Sequence, residues 1–332
     1  MHNNKIFISI ACWRDPLVRK TIQSAISMAK NPDNISFGVI FQGYDKDAWM
    51  VDGLDSITKN IKILKFDAAD KNCPLNICYI RGELCQSLLE DENFYLQIDS
   101  HVKFGKNWDS GLIQELHAAN DKFGKSILTG PTRSFRDWDI QEGTGGAETA
   151  LPDKVIFEEW KNFTVGKPKL KLDKVQMVEY FMNAGFRFSD VEYVNDITQP
   201  KNILWDYEQP LMALKTFVAG YEMISPSSNY IFTYDFYNLD CYPEVNVEDI
   251  RFMRRFDPNW EEIMKDEFLV QADIFNEIIS SPTLDFKDTS KIKRTLQDFI
   301  SMSGFDIYTL DIFQNYTDEY LYQDRRVNII EN

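Results

Sequence analysis

Three histidines occur in 332 residues, and one of them, His101, stands two positions after Asp99 at the close of an apolar run, FYLQIDSHVKFGKNWD (Phe94 to Asp109). Side chains alternate between the faces of a strand. An acid and an imidazole at i and i+2 therefore share a face, and Ser100 points the other way. A carboxylate oxygen beside a neutral imidazole nitrogen is a mixed donor set suited to a divalent ion such as Mn²⁺. Such an ion can bridge a diphosphate and stabilise the negative charge that grows as it leaves. The plainer alternative is that Asp99 caps the following turn and His101 is an ordinary surface residue. The other two histidines carry less: His2 is terminal, and His117 in LIQELHAAN falls on a helix as a structural or surface residue.

The elements around this stretch form an alternating pattern. KIFISIACW (Lys5 to Trp13) reads as a buried strand. Pro16 then opens a helix with apolar residues at Leu17, Ile22, Ala25, Ile26 and Ala29. ISFGVIFQG (Ile35 to Gly43) and IKILKFD (Ile61 to Asp67) read as strands, CYIRGELCQSLLED (Cys78 to Asp91) as a helix, and NFYLQID (Asn93 to Asp99) as a fourth strand. A helix over NWDSGLIQELHAAN and a strand over Lys125 to Pro131 follow. Strand and helix in alternation predict an α/β domain with a mainly parallel sheet. In such sheets ligands bind beyond the carboxyl ends of the strands, which is where Asp99 and His101 stand.

The middle of the chain is less regular. RDWDIQEGTGGAETALPDK reads as a loop, part of an insertion over about 137–176. VEYFMNAGFRFSD (Val178 to Asp190) reads as a strand. A turn, a helix ended by Gly220 and one or two strands complete a domain over 1–246. From about Val247 to Asn332 a charged, mostly helical extension is expected, packed on that domain or engaging an acceptor or a second copy.

The totals narrow the function classes. Hydrophobic residues make up 44% and aromatics 14%, enough for a large core and too many for a disordered chain. The formal net charge is −16, which weighs against a protein living on phosphate-backbone contacts. RFMRRF (Arg251 to Phe256) and KPKLKLDK (Lys167 to Lys174) are the notable basic runs. No apolar window of about 18 residues and no signal-peptide pattern is seen, so no membrane insertion is expected. Five scattered cysteines without a CxxC pair read as reduced thiols of a cytoplasmic protein, with Cys12 and Cys85 in the core.

YLQIDSHVKFGKNWDSGLIQEL resembles the metal-binding strand, loop and helix of GT-A glycosyltransferases that carry a DxH variant of the DxD motif. It is similar to the polypeptide N-acetylgalactosaminyltransferases. It is closer to the family-60 GlcNAc transferases, which attach GlcNAc to hydroxyproline of a ubiquitin-ligase adaptor. ISIACWRDPLVRKTIQSAI, YIRGEL, NAGFRFS and WDYEQPLMALKTFVAGYEMISPSSNYIF resemble further segments of that family in the same order, over roughly Ile6 to Tyr234. The resemblance implies a GT-A domain and transfer from a UDP-sugar, GlcNAc-like, with retention at the anomeric carbon. The acceptor it implies is a hydroxyl of a protein or glycan.

It also implies roles for individual residues. Asp99 and His101 hold Mn²⁺, or Mg²⁺ in its place. Arg81 steadies the phosphates or the sugar. Ala11, Cys12, Trp13 and Arg14 line the uridine end of the first strand, and Ser100 borders the same donor site. Ala184 and Gly185 let the sugar approach the backbone closely. Glu208 orients the acceptor hydroxyl or the sugar, with Asp206 and Trp205 flanking that pocket. Two departures stand out. The family's third metal ligand, a His, is missing after PSSNYIF, where Thr233, Tyr234 and Asp235 follow instead, and Asp235 is the best substitute. The family's paired acidic turn is Asp206, Tyr207 and Glu208 here. Two alternatives remain open: a phage-type enzyme glycosylating hydroxylated bases in DNA, and a degenerate, non-catalytic binding module.

Overall fold

The computed structural model describes residues 4–70, 72–74, 76–130, 132–135, 177–179, 182–203, 205–234, 260–303, 305–308 and 311–312. Four largely apolar segments build one half of its main sheet: β1 (Ile6–Trp13), β2 (Ile35–Gly43), β3 (Ile61–Asp67, with Lys62 and Lys65 interspersed) and β4 (Phe94–Asp99). All pair in parallel, in the order β3-β2-β1-β4. β5 (Val102–Phe104), β6 (Ser126–Thr129), β7 (Arg133–Phe135), β8 (Met177–Glu179), β9 (Phe186–Asp190), β10 (Glu222–Ser225) and β11 (Ile231–Tyr234) follow along the chain. The full sheet reads β3-β2-β1-β4-β9-β6-β10-β8 among the described residues. β9 runs antiparallel to both β4 and β6, and β8 antiparallel to β10, so the other strands point one way. This is the mixed α/β fold with a mainly parallel sheet expected from the alternation. The C-terminal ends of β1, β2, β3 and β4 (Trp13, Gly43, Asp67 and Asp99) lie along one edge.

Helix α1 (Val18–Met28) buries Val18, Thr21, Ile22 and Ala25, the i, i+3, i+4, i+7 stripe that packs on the sheet. Helix α3 (Trp108–Phe123) buries Leu112, Leu116 and Ala119 on the same principle. Its opening pair knits the two helices together. The Trp108 indole Nε1 donates to the Ala25 carbonyl (2.9 Å), and Asp109 accepts from the Lys30 and Asn31 amides (both 2.8 Å).

Three departures from the sequence reading bear on the site. The helix expected over Cys78–Asp91 is only a short turn, α2 (Ile77–Tyr79), that widens into a π turn (Ile80–Leu84) and ends in a 3₁₀ turn (Gln86–Leu88). The strand expected over Val178–Asp190 is two strands, β8 and β9. Asn183 breaks it, because its side-chain Oδ1 accepts the Gly185 amide (2.8 Å) and offers the backbone a turn in place of a ladder. The chain also does not run straight through Asp99, Ser100 and His101. β4 stops at Asp99 and β5 starts at Val102. α1 holds the bend: the Thr21 hydroxyl donates to the Ser100 carbonyl (2.7 Å) and accepts from the Val102 amide (2.9 Å).

β5 forms a small sheet with β11 and β7, in the order β5-β11-β7. Helices α4 (Val191–Asp196) and α5 (Trp205–Val218) cover the other face of the main sheet, and Gly220 at φ +83° ends the latter's segment. Helices α6 (Trp260–Ser280) and α7 (Leu296–Ser303) continue the chain. Phe275, Ile279, Leu284, Phe286 and Phe299 share one buried cluster with Tyr207, Leu211, Leu214 and Phe217 of α5. A two-residue pair, β12 (Phe305–Asp306) and β13 (Asp311–Ile312), follows. The insertion at 137–176, both basic runs, Cys241 and Asp235 lie outside the described residues. No helix among the described residues is long and apolar enough to cross a membrane.

Candidate active site

Asp99 ends β4 with its side chain 29% exposed, and each carboxylate oxygen has its own neighbour. Oδ1 accepts from Arg81 Nη2 (2.6 Å). Oδ2 faces the imidazole of His101, with Nε2 3.9 Å away. The bend at 100–101 turns His101 back toward Asp99, so the two donors converge although the strand does not continue through them. Ser100 does not point away, as unbroken alternation would require. Its hydroxyl donates to Asp15 Oδ2 (2.6 Å), the same oxygen that meets His101 Nδ1 at 2.8 Å.

Asp15 was not among the residues singled out by the sequence. It follows β1, is 2% exposed, and also accepts the Leu17 amide on Oδ1 (2.8 Å) at the entry to α1. Burial pushes its carboxyl up, but the bonds from His101, Ser100 and Leu17 outweigh this and hold its pKa below the ordinary value. The available hint was an Asp just before Pro16 at a helix start, which reads as a cap and says nothing of a second partner.

Gly185 meets this pair from β9's side. A Cβ there would fall inside contact distance of Asp99 Oδ2. The missing side chain thus makes room for the Asp99 carboxylate. Ala184 contributes its carbonyl, which accepts from Gln97 Nε2 (2.7 Å).

Beneath Asp99 runs a buried chain of alternating charge. Arg81 Nη1 donates to Glu208 Oε2 (2.8 Å), and Arg187 Nη2 donates to Glu208 Oε1. The side chains of Arg81, Arg187 and Glu208 are 8%, 4% and 1% exposed. The π turn sets Arg81 in this place: its carbonyl is released from regular helix bonding and accepts the Tyr95 hydroxyl (3.2 Å). Burial pulls the Arg81 pKa down, yet Glu208 and Asp99 raise it overall, so the guanidinium stays charged. Arg81 therefore holds Asp99 and Glu208 together, and Glu208 has both oxygens engaged by arginines in the interior. Arg187, between two phenylalanines of β9, was missed. A charged residue at a buried strand position signals a buried partner.

At the end of β1, Cys12 is fully buried core, its Sγ near the Asp15 carbonyl (3.6 Å), and burial pushes its thiol pKa up. It does not line an open pocket. Ala11 is half-buried beside Ile40, Ile80 and Cys85, in register with Asp99 across β1 and β4. Trp13 is half-buried. Arg14 adopts a left-handed φ of +48°, is 6% exposed and is clamped by Asp47, with Nε to Oδ2 at 2.5 Å and the guanidinium over the Tyr44 ring (4.6 Å to the centroid). The four described cysteines, Cys12, Cys73, Cys78 and Cys85, are reduced and buried.

β11 arrives beside His101: the Tyr234 amide donates to the His101 carbonyl (3.0 Å). Thr233 pairs its hydroxyl with that of Thr132 (2.7 Å). Asp235 comes next in the chain but lies outside the described residues, as do the side chains of Trp205 and Asp206. No cluster of three or more His, Cys, Asp or Glu ligands occurs among the described residues. His117 packs against Phe94 with the rings tilted (6.0 Å between centroids) and lines a cavity of about 450 Å³ with Asn4, Asn31, Asp109 and Asp121. Asn4 and Asn31 precede β1 and β2, so this cavity opens at the end of the parallel strands opposite Asp99.

Comparison with known proteins places the chain. Among solved structures it is similar to S. aureus TarS, with TM-score 0.48, 13% identity, and coverage of 90% of this chain and 42% of that one. It is also similar to TarS 1-349 in complex with UDP-GlcNAc (0.45, 13%, covering 85% and 74%). A third is the mannosyltransferase PcManGT from Pyrobaculum calidifontis in complex with GDP-Man and Mn²⁺ (0.43, 10%, covering 74% and 59%). The chain therefore spans less than half the length of the full TarS chain. No curated protein matches it. The family model described as Glycosyltransferase (GlcNAc) matches residues 5–69 and 55–260, more than three quarters of the sequence, and the chain belongs to this GlcNAc glycosyltransferase family.

Proposed function

We propose that this protein is a metal-dependent transferase that moves a sugar, GlcNAc-like, from a UDP-sugar to a hydroxyl of a protein or glycan. One observation carries the reading: in a chain of this family, Asp99 Oδ2 and His101 Nε2 converge to 3.9 Å at the C-terminal edge of the parallel strands. That separation lies within the span of two donors each about 2.1 Å from one ion. An oxygen and a nitrogen donor together fit Mn²⁺, with Mg²⁺ as the harder alternative. Such an ion supplies charge stabilisation to a departing diphosphate.

The chain's own residues prepare this. Arg81 fixes Asp99 through Oδ1 and leaves Oδ2 directed at His101. Gly185 keeps the space that this oxygen needs. Glu208 anchors Arg81, with Arg187 completing its charge balance. Asp235, directly after the bond between Tyr234 and His101, is the proposed third ligand, and Asp206 is the remaining acidic candidate on the acceptor side. Nothing in the described site marks a covalent nucleophile. Retention would then follow from front-face attack, with the leaving phosphate taking the acceptor's proton. The domain is proposed to span 1–246, with 247–332 as a helical extension. The charge of −16 weighs against DNA as the acceptor.

Calorimetry tests the donor half directly. UDP should bind, and Mn²⁺ should tighten that binding. A protein that binds no UDP in the presence of Mn²⁺ would be a non-catalytic module on the same fold.

A further inference from the structure

We infer that Asp15 is a positioning residue that fixes the tautomer and ring orientation of His101, so that Nε2 carries the lone pair aimed at the Asp99 side. The inference rests on the proposed metal role only for what Nε2 is presented to. The tautomer itself is a property of the metal-free chain.

The geometry leaves Asp15 little freedom. Oδ1 accepts the Leu17 amide, and Oδ2 accepts the Ser100 hydroxyl and meets His101 Nδ1 at 2.8 Å. The carboxylate is 2% exposed and sits in the turn after Arg14, whose left-handed backbone is clamped by Asp47. An ionised carboxylate has no proton to give, so Nδ1 must be the donor across this bond. In a neutral imidazole the remaining nitrogen then bears the lone pair. That nitrogen is Nε2, 3.9 Å from Asp99 Oδ2. β1 thereby acts on the site at the end of β4 through one buried side chain. Partners that hold a ligand imidazole by its other nitrogen typically change metal affinity by about 10–100-fold when removed.

Asp15→Asn makes the prediction sharp. Its carbonyl oxygen would stay on the Leu17 amide, which turns the NH₂ toward Ser100 and His101. Ser100 can adapt, because a hydroxyl accepts as well as donates. The imidazole can accept at Nδ1 only by moving its proton to Nε2, and that blocks the ligating lone pair.

The test uses full-length protein labelled with ¹⁵N-histidine, metal-free, at a pH where the ring is neutral. With three histidines, single substitutions of His2 and His117 assign the His101 signals. Wild type should show Nδ1 protonated and Nε2 bare, and Asp15→Asn should reverse this. Mn²⁺ binding, read by electron paramagnetic resonance, should weaken about 10–100-fold in the variant. A wild-type His101 protonated at Nε2 would overturn the inference, and that reading stands even if the variant does not fold. An Asp15→Asn protein that keeps the wild-type tautomer, or that binds Mn²⁺ within about twofold of wild type, would overturn it too. If wild type shows the expected tautomer but binds no Mn²⁺, the metal reading falls and the tautomer assignment stands.

Discussion

Asp99 divides its carboxylate between two tasks, and the residues behind each oxygen make separate predictions. On the Oδ1 side, Glu208 is, among the described residues, the one carboxylate serving both buried arginines. Removing one partner of a buried ion pair leaves an uncompensated charge and typically costs about 3–5 kcal/mol. Glu208→Gln should therefore lower stability by about that amount, measured by urea unfolding. A Glu208 facing an open acceptor pocket would show almost none of this loss. On the Oδ2 side, Gly185→Ala would drive a methyl group against the carboxylate. Mn²⁺ affinity should fall by about 10-fold or more while the protein stays folded, since the carboxylate must leave its place beside His101. The types and spacing of Asp99 and His101 were legible because imidazole is scarce and the acid lies two residues before it. Asp15 and Arg187 were not, because their roles depend on partners 86 and 21 residues away.

The bend after β4 is an element-scale device. One hydroxyl, that of Thr21, serves both the carbonyl of Ser100 and the amide of Val102, standing in for the ladder bonds a continuous strand would have made. Thr21→Val keeps the shape and removes both bonds. It should cost about 1–3 kcal/mol for the buried groups left unsatisfied and weaken Mn²⁺ binding in parallel. Equal stability of the two proteins in chemical denaturation would show that the bend does not depend on Thr21. Strands β2 and β3 were readable to the residue: β2 is a mainly apolar run closed by Gly43, and β3, at the sheet edge, alternates Ile61, Ile63, Leu64 and Phe66 with Lys62 and Lys65 up to Asp67. The bend, the π turn and the break at Asn183 were not readable. Each arises where side-chain or tertiary hydrogen bonds outbid a regular ladder, and period alone carries no sign of that.

At the scale of the whole molecule, the second core binds α5 to the C-terminal helices, and a buried cation lies within it. Lys215 Nζ donates to the Asp285 carbonyl (3.2 Å), and burial, against the pull of Asp285, lowers its pKa to about 8. The unfolded chain holds that proton up to its ordinary value near 10.4, so between these limits the unfolded state binds more protons and stability rises with pH. The rise due to this group amounts to about 3 kcal/mol over the full window. Unfolding free energies at pH 7.5, 8.5 and 9.5 should climb in wild type relative to Lys215→Met, and parallel curves would refute the assignment. The family and the mainly parallel sheet agree with what the sequence led one to expect, while the donor, metal and acceptor belong to the proposal. Release of UDP from UDP-GlcNAc, with and without Mn²⁺, tests that proposal most directly in wild type, Asp99→Asn and His101→Ala. Turnover that requires Mn²⁺ in wild type and falls at least about 100-fold in both variants is the predicted result. Metal-independent turnover, unchanged in both variants, would contradict it.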